Sequence, residues 1–489
     1  MKKQTTALAA SFLLVLVLVG LLVFLIFRFQ TQEEEETGET QSPSEEVLLS
    51  LSVDDINTIQ IQNPSDEFTL VNQGDGFVIE GLEELDVSSL NVSNLTACFS
   101  SLTAQRKLLS LSEETEAETI GNSQESLVQY GLDTPSYTVK IVTAEGTEEV
   151  LYLGDEAPNG SSVYALYADG VYLLNDDILD SVSRHRYSFL NNEITEAEPE
   201  YTQAVITLSG SVRPSAITLE IQTVEDEESA ETEETEKVVV SSTEKEYKMT
   251  TPIEQTISEA SASQVTEGLF SLYANSIEAV YPTEDELINF GLDDPYSVIS
   301  VQIDGVESFT LKTSAPDSNN YVYLMREDSP MVYLVSSSRL SWLTVQAEQL
   351  VQSVYQPESL DEVAQLQVTG TSASYDFVLS HSDDGTTVEC NGTEVDTELF
   401  EELYQTITAI PPDKMSSKEP TLDAVLTMTI SYVDDTREAD IFVLTPTGDG
   451  SVYISLNGEN KYTVQQDIVN QILNNCQNAV DGKEISNLA

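Results

Sequence analysis

The sequence predicts an α+β protein, with an N-terminal transmembrane helix followed by three repeated modules of antiparallel strands and hairpins, each carrying one main amphipathic helix. Three observations predict this architecture. Residues 7–27 form an apolar run, a motif at 123–135 recurs at 283–295, and strand-like alternation recurs around turns rich in Gly and Asp. An internal repeat of this kind defines a fold before any single element does.

The apolar run of residues 7–27 predicts a membrane anchor. At about 1.5 Å of rise per residue it spans a bilayer core of about 30 Å. Lys2 and Lys3 precede it and Glu33–Glu36 follow it, which favours a cytoplasmic N-terminus with the remainder outside the cell membrane. No A-x-A pattern follows, so we expect a single-pass signal anchor at 1–29, with cleavage as the alternative. The polar residues 30–46 are expected to form an acidic flexible linker.

The recurring motif predicts a short helix that ends at a glycine and is followed by a strand. In the second copy Thr283 is placed to cap the helix while Glu286 reaches back to it. Glycine suits the left-handed position that closes a helix, and Asp and Pro then favour a turn into extended chain. A fainter third copy lies at 419–424. The residues given this structural role are Gly131, Leu132, Asp133, Pro135, Gly291, Leu292, Asp293 and Pro295.

The repeat divides the chain into modules at 47–200, 201–356 and 357–489. Alternation predicts a pair of opening strands in each module. These pairs are Asp55–Ile61 with Glu67–Val71, Ser215–Ile221 with Glu246–Met249, and Glu362–Val368 with Tyr375–Leu379. The turns at 74–76 and 383–385 indicate hairpins. An acidic insertion in the second module, Glu225–Lys237, is expected to be a solvated loop.

Helical spacing predicts the amphipathic helix of each module. Its apolar face comprises Val92, Leu95, Phe99 and Leu102 in the first module, Val265, Leu269 and Leu272 in the second, and Leu399, Leu403 and Ile407 in the third. Each module should then continue into a strand, a closing hairpin and a final short helix. The predicted strands are Tyr137–Ile141, Val298–Ile303 and Leu426–Ile430, and the final helices are Asp177–Ser183, Ser337–Leu343 and Gln466–Leu473.

Composition excludes several classes of function. The chain of 489 residues has 20 Lys and Arg against 85 Asp and Glu, a formal charge of -65. Nucleic acid binding needs a basic surface, and anionic lipid would repel these modules. Cys98, Cys390 and Cys476 are far apart, which argues against a disulfide framework or a thiolate zinc site and favours small buried apolar side chains.

Motifs of known catalytic sites are missing from the sequence. His185 and His381 lie in different modules without a ligand cluster of suitable spacing, and no phosphate-binding glycine loop or nucleophile elbow is present. We therefore expect no cofactor, metal or enzymatic activity. Arg184–Arg186 either pair with an anionic polymer or partner, or are charges at a helix C-terminus, and the second interpretation is favoured. The sequences at 383–385 and 447–450 resemble calcium loops but lack their alternating carboxylates, so hairpin turns are favoured.

Tyrosines recur at matching hairpin positions in the three modules. They are Tyr164, Tyr172, Tyr323, Tyr333, Tyr453 and Tyr462. Recurrence within one chain favours cross-strand packing with the hydroxyl at the edge. The alternative is a ligand surface, in which case Tyr164 and Tyr323 would contact an envelope polymer or peptide.

Several of these features together resemble the family called domain of unknown function 4340. They are the N-terminal anchor, the strand at Ile59–Ile61, the hairpin at Gly74–Ile79, the motif Tyr130–Pro135 and the strand end Leu151–Asp155. The resemblance covers residues 50 to 345 and, more faintly, the third module, which lacks the motif glycine. The family has no established catalytic residues. Similar proteins are often encoded near ABC-transporter components, which implies an accessory role at the cell envelope.

We therefore expect a non-enzymatic, extracytoplasmic protein that is anchored in the membrane by one helix. Its modules would scaffold an envelope complex, such as an ABC transporter, through contact with another envelope protein. The alternative is a surface module that binds a cell-envelope polymer or peptide.

Overall fold

The computed structural model describes residues 46–111, 127–168, 170–228, 240–355, 357–382, 385–416 and 418–488. The predicted anchor and all of the predicted linker except Glu46 lie outside these residues, as does the start of the first motif copy. Within the described ranges, no helix is long and apolar enough to cross a membrane. The chain forms two compact units that divide after Phe189, and each is described by itself.

The first unit contains an eight-stranded sheet and a small two-stranded one. Its strands are β1 (Glu46–Leu49), β2 (Ile56–Gln62), β3 (Glu67–Asn72), β4 (Phe77–Ile79), β5 (Leu102–Ala104), β6 (Arg106–Ser110), β7 (Tyr137–Thr143), β8 (Glu148–Glu156), β9 (Ser162–Tyr167) and β10 (Gly170–Asn175). Its α-helices are α1 (Ser89–Ser100) and α2 (Leu179–Val182), and 3-10 turns lie at Val53–Asp55, Asp176–Ile178 and Arg186–Phe189. The large sheet has the order β4-β3-β2-β7-β8-β9-β10-β6, and β1 pairs with β5.

The second unit contains two nine-stranded sheets and a two-stranded one. The strands of its first half are β11 (Glu193–Thr195), β12 (Gln203–Ser209), β13 (Ile217–Glu228), β14 (Val240–Thr251), β15 (Gln255–Ile257), β16 (Leu272–Tyr273), β17 (Ser276–Val280), β18 (Ser297–Ile303), β19 (Phe309–Thr313), β20 (Tyr321–Arg326) and β21 (Met331–Ser336). The helices are α3 (Glu259–Thr266), α4 (Glu284–Phe290) and α5 (Ala347–Leu350), with 3-10 turns at Ser337–Arg339 and Ser341–Thr344. The order is β15-β14-β13-β12-β18-β19-β20-β21-β17, and β11 pairs with β16.

The other half of this unit repeats the same design. Its strands are β22 (Val363–Gly370), β23 (Ser374–Ser382), β24 (Gly385–Cys390), β25 (Thr393–Val395), β26 (Lys414–Met415), β27 (Leu426–Tyr432), β28 (Asp440–Pro446), β29 (Ser451–Leu456) and β30 (Glu459–Gln465). The helices are α6 (Thr397–Thr408) and α7 (Ile468–Val480), with a 3-10 turn at Leu360–Glu362. The sheet order is β25-β24-β23-β22-β27-β28-β29-β30-β26.

The three large sheets are antiparallel throughout and share one order of eight strands, to which the second and third sheets add an edge strand, β15 or β25, so the α+β prediction of repeated antiparallel modules agrees with the structure. In each, alternate strand residues are buried, as in the pattern of β12, where Ala204, Ile206 and Leu208 are covered and their neighbours are not. Alternation of this kind places one face of a sheet on the core and leaves the other toward solvent. The division at 200 and 356 stays a prediction.

The register of the sheets corrects the predicted opening strand of the second module. In the first and third sheets the strand next to the central β7 or β27 is β2 or β22, and in the second sheet β12 takes this place beside β18. The predicted strand Ser215–Ile221 is the following strand, β13. The error arose because Gln203–Ser209 and Ile217–Ile221 alternate equally well, and only pairing distinguishes them.

The acidic insertion is also different from its prediction. Glu225–Glu228 continue β13 and pair with Val240–Thr243 of β14, so this part of the predicted loop is a strand, while 229–239 lie outside the described residues. Cross-strand backbone hydrogen bonds hold such a ribbon together whatever the charge of the residues. The ribbon is a lengthened form of the hairpin that joins β3 to β4 in the first sheet.

The three amphipathic helices form, but two are shorter than their predicted faces. Val92, Leu95 and Phe99 are buried on α1, whereas Leu102 belongs to β5. Helix α3 ends at Thr266, so Leu269 and Leu272 lie beyond it. The chain leaves the helix at Glu267, which has an extended ψ of 136°, and turns at Gly268, whose φ is 76° and where a side chain would meet the carbonyl oxygen of Arg339 at 2.0 Å. On α6 the buried face is Phe400, Leu403, Tyr404 and Ile407 rather than one that includes Leu399.

The later elements lie close to their predicted positions. The strands β7, β18 and β27 and the closing hairpins form as expected. The final helix of the second module is 3-10 in place of α-helix, and that of the third is longer, Ile468–Val480. Residues 419–424, the faint third copy of the motif, are irregular and contain no helix.

The motif glycines close their helices in the left-handed conformation. Gly131 has φ 65° and Gly291 has φ 68°. In both copies the next leucine amide donates back to a helix carbonyl, Leu132 to Leu127 at 3.1 Å and Leu292 to Leu287 at 2.9 Å. This is the bond of a Schellman C-cap, which satisfies carbonyls at the helix end. Thr283 and Glu286 form a capping box at the start of α4.

Replacing the two motif glycines by alanine should have unequal effects. Gly291→Ala should cost about 1 kcal/mol of local stability, because its Cβ would meet nothing closer than Ser314 Cβ at 3.6 Å and only the backbone is strained. Gly131→Ala should cost roughly 2 kcal/mol or more, because its Cβ would lie 2.5 Å from Asp155 Oδ1 and 2.9 Å from the Asp155 backbone nitrogen.

Native-state amide hydrogen exchange measures this loss separately in each compact unit. Gly76→Ala is the matched control, because a methyl group at that glycine would meet no atom within 4 Å and its backbone is not left-handed. Equal protection in all three variants would contradict the assigned role of the motif.

Candidate functional site

The basic segment Arg184–Arg186 is engaged within its own unit. Arg186 forms a two-pronged ion pair with Asp66, with Nε 2.9 Å from Oδ2 and Nη2 2.5 Å from Oδ1. Arg184 donates to the Asp180 carbonyl at 2.7 Å, one turn back at the end of α2. These contacts favour the interpretation of helix C-terminal charges over a surface for an anionic polymer.

The Asp66 carboxyl is 7% exposed and accepts from Arg186 through side chain and backbone. Burial would raise its pKa, but these hydrogen bonds and the neighbouring positive charge outweigh burial and lower the pKa below its usual range. His185 Nε2 lies 3.4 Å from the same carboxyl, a contact that sequence spacing did not indicate. Because Asp66 is already paired with Arg186, this contact is part of a structural cluster.

Metal and thiol chemistry have no assembled site in the part of the chain that the structure describes. No group of three His, Cys, Asp or Glu side chains there is placed to hold a metal ion. His381 instead contacts Thr386 Oγ1 at 2.9 Å and the Val363 carbonyl at 2.8 Å. The three cysteines are free; Cys390 and Cys476 are buried and Cys98 is half-buried. The segment Thr447–Gly450 is the turn between β28 and β29.

The hairpin tyrosines pack against the motif that ends the preceding helix. The Tyr164 ring lies 4.8 Å from that of Tyr130, and the Tyr323 ring lies 4.7 Å from that of Phe290, both tilted by 57°. Tyr130 and Phe290 are the residues before the motif glycines. The repeated contact favours the packing interpretation of these tyrosines.

No sequence motif predicted two buried polar clusters that the structure contains. Arg213, 7% exposed, donates to the carbonyls of Val345 at 2.8 Å and Ser209 at 3.0 Å and to that of Trp342, with no carboxylate partner among the described residues. Burial lowers its pKa to about 10. Its guanidinium joins the end of strand β12 to the 3-10 turn Ser341–Thr344 and satisfies carbonyls that the open end of the turn leaves unpaired.

The other cluster joins Tyr355, at the end of the second module, to residues of the third module. Tyr355 donates to Asp440 at 2.9 Å, Tyr432 donates to the same oxygen, and Asn457 donates to the other at 2.8 Å. Burial and the hydrogen bond to Asp440 raise the pKa of Tyr432 to about 12. Arg437 stacks 3.7 Å above the Tyr432 ring. Since every polar atom named here has a partner, the cluster is saturated and structural.

A groove on the second module differs from these clusters because several of its polar side chains are exposed to solvent. It has a volume of about 850 Å³ and lies among β14, α3, the turn after α3 and the extended segment 198–201. Four carboxylates and one ammonium line it, together with three aromatic rings. The charged residues are Glu198, Glu244, Lys245, Glu259 and Glu267, and the aromatic ones are Tyr201, Tyr247 and Phe270.

Lys245 is held at one side of this groove. Its Nζ lies 3.0 Å from Glu198 Oε1, 3.1 Å from Tyr201 Oη and 4.4 Å from the centre of the Tyr201 ring. Burial would lower the pKa of Lys245, but the hydrogen bonds to Tyr201 and Glu198 outweigh it and raise the pKa to about 12. The ammonium is therefore occupied with Glu198, and three carboxylates of the groove remain without a cationic partner among the described residues.

Tyr247 lines the groove, and its hydroxyl has no hydrogen bond to the described residues. The residue is 9% exposed, and burial raises its pKa while the charge of Lys245 opposes this, with no hydrogen bond contributing. Pairing of β13 with β14 aligns Ile221 with Tyr247, and the same register places Phe77 and Val388 at this position in the other sheets. Of the three large sheets, only that of the second module has a hydroxyl at this position.

The comparison with known families gives one match. A family model described as Domain of unknown function (DUF4340) matches residues 78–286 and, a second time, residues 248–412. The two matches begin at equivalent places, because Ile79 and Met249 take the same position in β4 and β14. Neither the curated proteins nor the solved structures contain a significant match.

Asp66→Asn should lower the stability of the first unit by about 1.5–3 kcal/mol at pH 7, because hydrogen bonds to a charged group are lost. The Asp66 carboxyl has a lowered pKa in the folded chain, so its contribution is complete above the unfolded value of about 3.9 and disappears as the pH falls through the folded value. The difference between wild type and variant should therefore shrink in acid.

Hydrogen exchange or denaturant unfolding of the first unit at several pH values measures this difference. Asp86→Asn, at an exposed position with no ion pair to the described residues, serves as the control. A difference that is constant from neutral pH to about pH 2 would contradict the ion-pair explanation.

Proposed function

The chain belongs to the DUF4340 family, and we propose that it is a non-enzymatic, extracytoplasmic protein that is anchored in the cell membrane by one N-terminal helix. Its modules serve as a scaffold or accessory component of an envelope complex. The apolar run at 7–27 and the Lys2 and Lys3 that precede it support the anchor and its orientation. The component that it assists is a membrane protein complex such as an ABC transporter.

The groove of the second module is the observation that carries this proposal. Three copies of one sheet form the described chain, and at the equivalent of Tyr247 the other two copies have apolar side chains. The Tyr247 hydroxyl opens to the groove and has no hydrogen bond to the described residues, so it is available to a polar group from another molecule. We assign the contact with a partner protein to this surface.

The titratable clusters outside the groove support a non-enzymatic role. A catalytic acid or base needs a perturbed group that is free to exchange a proton with a substrate. Asp66 and Asp440 have shifted pKa values, but each is enclosed by donors from its own compact unit. Their shifts accordingly reflect local packing.

A photoreactive amino acid placed at Thr266, on the groove, should cross-link the full-length chain in its own cells to one discrete envelope protein. The same residue placed at Glu394, an exposed strand position of the third module, should give no such adduct. Mass spectrometry identifies the product, and a second variant with Glu259→Arg should lose it.

Recovery of the chain without an adduct from Thr266 and from Glu267 would contradict a partner at this groove. Turnover of an envelope polymer by the purified chain would contradict the non-enzymatic assignment.

A further inference from the structure

The groove has an excess of negative charge that selects the sign of its occupant. Glu244, Glu259 and Glu267 are exposed along it, and Lys245 is paired with Glu198. These carboxylates attract an arriving ammonium or guanidinium and repel an anion. The ring of Phe270 also suits a cation, because the face of a ring carries negative potential, whereas the ring of Tyr201 already faces Lys245. An acidic rim is frequent on a chain of this charge, so the rim is not the basis of the inference.

The second observation is the hydroxyl of Tyr247. The side chain is nine-tenths buried, and its oxygen has no hydrogen bond to the described residues. A phenol in this position both donates and accepts, which matches the alternating donors and acceptors of a peptide backbone. Neither Phe77 nor Val388 at the equivalent sites offers such a group.

A smaller notch adjoins the groove, and it is lined by Glu196, Glu307 and Arg326 as well as by apolar residues. Its volume is about 170 Å³, and Phe270 lines both depressions. Phe309 meets Phe270 edge to face with ring centres 6.0 Å apart, and Val306 is 43% exposed beside them. A notch of this size holds one aliphatic or aromatic side chain, whereas a free polyamine has no apolar branch to fill it.

We propose that the groove of the second module binds an extended segment of a partner protein, with a Lys or Arg side chain against Glu244 and Glu259 and a neighbouring apolar side chain in the notch of Phe270 and Phe309. The backbone of that segment hydrogen-bonds to the Tyr247 hydroxyl. This inference rests on the proposed function and names the chemistry of the partner that the function requires.

The test uses the purified full-length chain and fluorescently labelled peptides of the sequence Gly-Leu-Gly-Lys-Gly, with fluorescence anisotropy as the measurement. Replacing the peptide lysine by glutamine, or its leucine by glycine, should each weaken binding several-fold. Tyr247→Phe should raise Kd roughly 3- to 10-fold, the effect of losing one neutral hydrogen bond. This variant carries the ring that the first module has at Phe77, so the fold is expected to accept it.

Removing two charges with Glu244→Gln and Glu259→Gln should raise Kd about tenfold at low salt, with a smaller effect at high salt. Tyr453→Phe and Glu394→Gln are the matched controls in the third module, and both should bind as wild type does.

Equal binding by wild type, groove variants and controls would overturn the inference, because it would show diffuse attraction to an acidic chain. Displacement of the peptide by an equal concentration of spermidine would overturn it as well, since a polyamine would then suffice. A cross-link from Thr266 in cells together with no peptide binding would overturn this inference and leave the proposed function standing.

Discussion

The close approach of the motif turn to the end of β8 is the constraint on which the first module depends. Tyr130 accepts a hydrogen bond from the Asp155 backbone at 2.9 Å, and a side chain on Gly154 would meet the Tyr130 carbonyl oxygen at 2.2 Å. The backbone can come this near only where two glycines face each other. The adjacent aromatic ring then packs on the hairpin tyrosine, so a single turn fixes helix, strand and hairpin together.

The motif is therefore structural, and specialisation lies elsewhere in the modules. The sheets share a common strand order, yet the equivalent position on β4, β14 and β24 holds Phe77, Tyr247 and Val388 in turn. Two of these side chains complete a core, and the third brings a hydroxyl to the floor of an acidic groove. A duplicated scaffold that is stabilised by its motif can change such a position in one copy without loss of the fold. The second module, which carries Tyr247, is accordingly the copy that we propose to carry the function.

Sequence patterns predicted the repeat, the antiparallel modules and the capping box of Thr283 because these depend on local periodicity and turn chemistry. They misplaced the opening strand of the second module, because Gln203–Ser209 and Ile217–Ile221 have the same alternation and pairing alone separates them. The groove was not predicted either. Glu198, Tyr247 and Glu259 are distant along the chain, and the unused hydroxyl of Tyr247 becomes evident only when β14 is aligned with β4 and β24.

Tyr247 is expected to meet another protein while its counterparts do not, and this is the central claim. The most direct measurement is fluorine NMR of the full-length chain with 3-fluorotyrosine incorporated at position 247, recorded before and after addition of envelope membranes that lack the chain. We predict a shift or broadening of this resonance, and an unchanged signal when the label is at Tyr453. Identical responses at both positions, or none at either, would contradict the claim.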